Sequence, residues 1–161
     1  MKRIRTAYAK TMAGINIFLE WAMRAVLAFM TVVVFTQVLS RFLHFSMPQL
    51  EELARYSNIY LAFLAVAYGM GKDSLVKVDA LQSVISGPVR KVILLLADIA
   101  SLVTCGLYIY SGIKLVELGI GQKSSSMGFD LAFVYIIIPV SFAVAVLNKA
   151  AAATREEADR S

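Results

Sequence analysis

Residues 25–39 read Ala25-Val-Leu-Ala-Phe-Met-Thr-Val-Val-Val-Phe-Thr-Gln-Val-Leu39, without one charged side chain. This is the cleanest part of an apolar run from about Ile15 to Phe45. A helix needs about 20 residues to cross a hydrocarbon layer of ~30 Å, because lipid offers no partner to exposed backbone groups. Three further runs reach that length: about Leu50 to Met70, about Val89 to Ile113 with a continuation towards Leu118, and about Phe129 to Leu147. Each is too long for a core strand and too continuous for an amphipathic surface helix.

Composition agrees with that reading. The 161 residues are 59% hydrophobic and only 17% charged, too apolar for an ordinary soluble domain of this size. The expected fold is an all-α integral membrane protein, a single membrane domain over residues 1–161. It has four transmembrane helices (approximately 15–45, 50–70, 89–113 and 129–147) and a short interfacial amphipathic helix (74–86) between spans 2 and 3. The basic stretch Met1 to Lys10 opens like a signal peptide. However, Glu20 and Arg24 interrupt the apolar region, and the run then extends past a signal's usual length, so it reads as a retained first span.

Between the second and third runs, Leu75, Val78, Leu81 and Ile85 share one face at helical spacing, with Lys77, Asp79, Ser83 and Ser86 mostly elsewhere. Gly87-Pro88 ends this segment. Such a helix lies in the interface plane, its apolar face against lipid or another protein.

Orientation follows from the basic residues. Lys2, Arg3, Arg5 and Lys10 precede the first span; Lys72, Lys77, Arg90 and Lys91 lie between the second and third; Lys149, Arg155 and Arg160 follow the fourth. The other two connections carry mainly Arg41 and Lys123. The positive-inside rule puts both termini in the cytoplasm, in a bacterial inner membrane. Anionic lipid at the inner leaflet accounts for the net charge of +5 without nucleic acid.

Pro48 stands where the second helix should begin, where its missing N–H does no harm. Glu51 and Glu52 fall in the first turn, where the helix dipole favours carboxylates. Arg55 follows at i+4 from Glu51 and i+3 from Glu52. The group is either a solvated helix start or a docking patch at the periplasmic surface.

The chain offers little chemistry. Its one histidine, His44, and one cysteine, Cys105, exclude a bis-histidine haem, a histidine-based triad and an intrachain disulfide, and no zinc ligand set is present. No cofactor, metal or catalytic residue is expected, and no enzyme. Asp98 is the one deep acid, about two turns inside the third span. Arg24 sits at a similar depth in the first, so an Arg24–Asp98 pair is expected in place of an ion relay, which uses several such groups. Gln37 and Asn58 are candidates for hydrogen bonds between helices. Ala97, Ser101 and Cys105 form a small-residue stripe on the third span, as do Ala65 and Gly69 on the second, and Pro139 should kink the fourth.

The order Gln37-Val-Leu-Ser-Arg41-Phe42, then Pro48, Glu51-Glu52-Leu53-Ala54-Arg55, then Gly69 to Leu81 with Val78-Asp79, and late Tyr135-Ile-Ile-Ile-Pro139 resembles one family. It is the small DctQ-type permease subunit of tripartite ATP-independent periplasmic (TRAP) transporters. The resemblance covers roughly residues 20 to 148. Family members often carry a Trp just before the paired acids and a His shortly before the later Asp. Here Gln49-Leu50 and Ser74-Leu75 stand instead, which leaves subfamily and solute open. The resemblance implies a scaffold that wraps a large multi-span permease. That partner moves an organic anion, of the dicarboxylate or sialic acid class, by a sodium-driven elevator motion after delivery by a periplasmic binding protein. It also implies that Arg41, Glu51, Glu52 and Arg55 lie near the docking surface of that protein, and that the 74–86 helix braces the inner interface. Membrane lipid is the other expected partner. A small self-sufficient four-helix exporter acting as a homodimer is the alternative. It needs a deep carboxylate in the first span, and Glu20 lies too near the cytoplasmic end. A haem-carrying redox anchor is disfavoured by the single histidine.

Overall fold

The computed structural model describes residues 2–45, 47–71 and 88–159, and contains no strand among them. Five helices follow in order: α1 (Lys2–Phe42), α2 (Pro48–Gly71), α3 (Pro88–Gly119), α4 (Ala132–Tyr135) and α5 (Ile137–Asp159). The expected interfacial helix, with Leu75, Val78, Leu81 and Ile85, lies outside the described residues.

Helix α1 is longer than its apolar run, because nothing in the basic stretch before it breaks a helix. Its end is set by His44, which takes a left-handed φ of 56°. The His44 N–H bonds to the Arg41 carbonyl at 3.2 Å and the Phe45 N–H to the Ser40 carbonyl at 2.9 Å. These are the paired bonds of a Schellman cap, with histidine where glycine usually stands. His44→Gly should therefore stabilise the chain by about 0.5–1 kcal/mol, since glycine takes this conformation without a Cβ penalty. A higher thermal midpoint in detergent is expected; an unchanged or lower one would mean that the imidazole holds the turn.

Three stretches are long and apolar enough to cross a membrane: Lys10–Phe42, Leu95–Gly119 and Ala132–Ala152. Helix α2 has 24 residues but does not qualify, because Arg55, Asn58, Tyr56, Tyr60 and Tyr68 dilute its apolar side chains. The last run is two helices. Its break falls at Ile136, ahead of Pro139, whose ring crowds the carbonyl four residues back and which has no N–H to donate to it. Beyond the expected end at Leu147 the helix continues to Asp159, through the strong helix formers Ala150 to Ala153.

The long helices form a row, α1–α2–α5–α3. Helix α2 packs extensively on α1 and α5, α5 also holds α3, and α1 touches α5 only lightly. Burial along each helix follows from its place in that row. On α1 one stripe is buried or half-buried: Met12, Leu19, Val26, Val33 and Ser40, with Asn16, Met23, Met30 and Gln37 between them. From Met23 to Phe42 every position off that stripe is exposed. The alternating steps of four and three give a 3.5-residue repeat, the signature of closely aligned helices meeting along a seam. On α3, Cys105, Ile109, Gly112, Val116 and Gly119 repeat the pattern. Helix α2 shows its inverse: from Leu50 to Met70 only Glu51, Arg55, Asn58, Ala62 and Ala65 are exposed.

Small residues set the approach of α3. A Cβ on Gly112 would lie 2.9 Å from the Pro139 ring, and one on Gly119 would lie 2.8 Å from the Ala132 backbone nitrogen. In the middle of the row, Phe142 stacks on Tyr108 (centroids 4.5 Å, planes 7° apart) and meets Phe63 edge-on at 6.1 Å. One α5 ring thus ties α3 to α2.

Candidate functional site

Polar side chains gather at two levels, one near the chain termini and one at the connecting turns. At the terminal level, Asn148 of α5 is 1% exposed and gives both amide hydrogens away, to the Asn16 side chain on α1 and to the Ala67 carbonyl on α2, each at 2.9 Å. One side chain therefore joins three helices. The Tyr8 hydroxyl donates to the Leu147 carbonyl at 2.8 Å, and the Tyr68 hydroxyl reaches Glu20 at 3.4 Å.

The ion pairs at this level differ from the sequence expectation. Arg24 bonds Glu20 one turn before it on α1 at 2.5 Å, with its guanidinium 5.4 Å from the Trp21 ring centre. Asp98 instead takes Lys149 of α5 at 2.9 Å, and the same ammonium also donates to Ser101. The expected Arg24–Asp98 pair is thus replaced. The physical reason is the row order: α1 and α3 stand at opposite edges, so equal depth does not make their residues neighbours. Lys149 is mostly buried between α3 and α5 while Asp98 is mostly exposed. Ala97 and Ser101 are half-buried and Cys105 fully buried on the packed side of α3. Gln37 lies in the α1–α2 seam. Asn58 and Ala65 fall on the exposed stripe of α2, and Gly69 is buried.

At the turn level, the four residues of the expected docking patch have different roles. Arg41 is exposed in the last turn of α1, where the helix dipole favours a cation. Glu51 and Arg55 form an exposed i,i+4 pair at 3.7 Å, a contact worth little by itself. Glu52 turns inward. Its carboxylate accepts from the Tyr56 hydroxyl and, at 3.0 Å, from the Ser126 backbone N–H in the connection between α3 and α4. The Ser124 hydroxyl and the Ser125 N–H also bond to this carboxylate.

The connection is itself ordered. Lys123 and Asp130 face each other across an antiparallel bridge, the Ser124 N–H bonds to the Phe129 carbonyl, and the Leu131 N–H bonds to the Gln122 carbonyl, both at 2.9 Å. Gly121 and Gly128 supply the left-handed bends, with φ of 83° and 73°. Sequence reasoning missed this hairpin and the Asn16–Asn148 tie. Two signals were present: a Gly-Gln-Lys-Ser-Ser-Ser-Met-Gly turn, and one amide at the terminal end of both the first and the last apolar run.

No group of three or more histidine, cysteine or acidic side chains able to hold a metal occurs among the described residues. What the chain offers is packing surface. Its edge helices leave large apolar side chains uncovered, among them Phe29, Val32 and Phe35 on α1 and Leu95, Leu102 and Leu107 on α3. These features define a helical integral membrane protein. Residues 30–158 match the family of tripartite ATP-independent periplasmic transporters, DctQ component, and the chain belongs to that family. It is therefore a small permease component of a TRAP transporter, in a family of transporter components that implies a large permease and a periplasmic binding protein as counterparts. No curated protein matches the chain.

Proposed function

We propose that this chain scaffolds a large, sodium-coupled permease subunit that takes up an organic anion, of the dicarboxylate or sialic acid class, delivered by a periplasmic binding protein. The observation that carries this reading is the uncovered apolar surface of the two edge helices in a member of this family. A chain with one narrow seam per edge helix has far more lipid-compatible surface than its own packing uses. A large membrane partner would cover part of it.

In this reading α2 is a fourth span, both termini are cytoplasmic, the membrane is the bacterial inner membrane, and residues 1–161 form one domain with an interfacial helix at 74–86. The two polar levels support the count. From Pro48 to Ala67, Ala132 to Asn148 and Asp98 to Gly119 the rise is about 24–32 Å at 1.5 Å per residue, close to the ~30 Å hydrocarbon core. Arg41, Glu51 and Arg55 are the exposed residues offered to the binding protein, with Glu52 behind them.

The test is uptake by proteoliposomes containing the large subunit with and without this chain, given loaded binding protein and an inward sodium gradient. Uptake that needs both sodium and this chain is expected. Equal uptake by the large subunit alone would remove the scaffold role, and transport by this chain alone would favour the small exporter.

A further inference from the structure

The hairpin of residues 122–131 is held in two separate ways. Its own shape depends on internal bonds, Ser124 N–H to Phe129 carbonyl and Leu131 N–H to Gln122 carbonyl. Its seat on α2 depends on two side chains one turn apart. Glu52 accepts the Ser126 N–H, and the Tyr56 ring meets the Phe129 ring edge-on at 5.6 Å. A third residue on the same ridge, Tyr60, donates to the Phe133 carbonyl at 2.6 Å and fixes the start of α4, which is packed against Gly119. The chain leading into the hairpin passes through Gly121, whose left-handed conformation needs no Cβ.

We propose that residues 122–131 form a preformed flap that pivots at Gly121 and is latched by Glu52, so that it lifts from α2 without losing its own shape. Lifting breaks the Glu52 bonds to Ser124, Ser125 and Ser126 and the Tyr56–Phe129 contact, while the Leu131 carbonyl keeps its bonds from the Val134 and Tyr135 N–H groups and serves as the second pivot. The base stays fixed through Tyr60 and α4. Release would bare the Glu52 carboxylate and the Ser126 amide together, an acceptor and a donor for a partner at this end of the bundle. The small subunit then has a moving part at this end of the bundle. The inference stands on contacts within the chain and does not depend on the solute or on sodium coupling.

Residue-resolved amide exchange of the full chain in lipid nanodiscs tests this, with Glu52→Ala and the milder Tyr56→Phe. Glu52→Ala should speed exchange at Ser126 by about tenfold or more, as expected for a lost bond to a charged acceptor. The Ser124 and Leu131 amides should change little. Tyr56→Phe keeps the ring and the carboxylate and removes one donor, so it should give a smaller effect at the same amide. Equal acceleration at Ser124, Ser126 and Leu131 would overturn the proposal, because the hairpin would then depend on its seat. No change at Ser126 would overturn it as well.

Discussion

Gly119→Ala should destabilise the chain while Gly106→Ala, thirteen positions earlier on the same helix, should not. At Gly119 an added Cβ would stand 2.8 Å from the Ala132 nitrogen and 2.8 Å from the Tyr135 ring. A backbone atom cannot rotate away, so α3 must shift off α4. At Gly106 nothing lies within 4 Å, and alanine gains helix propensity there. We expect Gly119→Ala to cost about 1–3 kcal/mol by overpacking, and Gly119→Val to lie at the upper end. Gly106→Ala should be neutral or stabilising by up to about 1 kcal/mol. Reversible unfolding in bicelles compares the variants. Equal behaviour at both positions would mean that α3 is not seated as closely as described.

The second large effect belongs to Asn148. Its amide nitrogen donates to Asn16 and to the Ala67 carbonyl, from a site that is 1% exposed. Single polar contacts between membrane helices average about 0.6 kcal/mol and reach about 1.7. Two bonds from one buried group place Asn148→Leu at about 1–2 kcal/mol of lost stability. The cost should be coupled: Asn16→Ala should lose most of its effect once Asn148 is gone, in a double-mutant cycle. Independent effects would show that each amide merely fills space. The Asn148 carbonyl oxygen is buried without a partner, so Asn148→Asp should be worse than Asn148→Leu.

How far the sequence carries can be judged from these residues. Helices and spans were legible wherever length and apolar continuity decide, as in α1 and α3. The break before Pro139 was legible because the ring's clash is local. Neighbour relations were not. Arg24 and Asp98 have matching depth but stand on opposite edges of the row, and depth says nothing about lateral order. Gly112 and Gly119 looked like ordinary glycines in an apolar run, because their importance comes from what α4 and α5 bring against them. Glu52 and Glu51 are adjacent and chemically alike. Helix geometry turns them about 100° apart, one to the hairpin and one to the surface. Asn148 sat at the end of a run, where a polar residue reads as a boundary. Its burial follows from α5 continuing past Leu147 between its neighbours.

The most direct measurement of the central claim is affinity purification of this chain, tagged at its carboxyl end, from native membranes in mild detergent, followed by mass spectrometry. The account predicts recovery of a much larger multi-span protein in near-equal amount, since the uncovered faces of α1 and α3 are surfaces for such a partner. Recovery of this chain alone, as a stable homodimer, would contradict it.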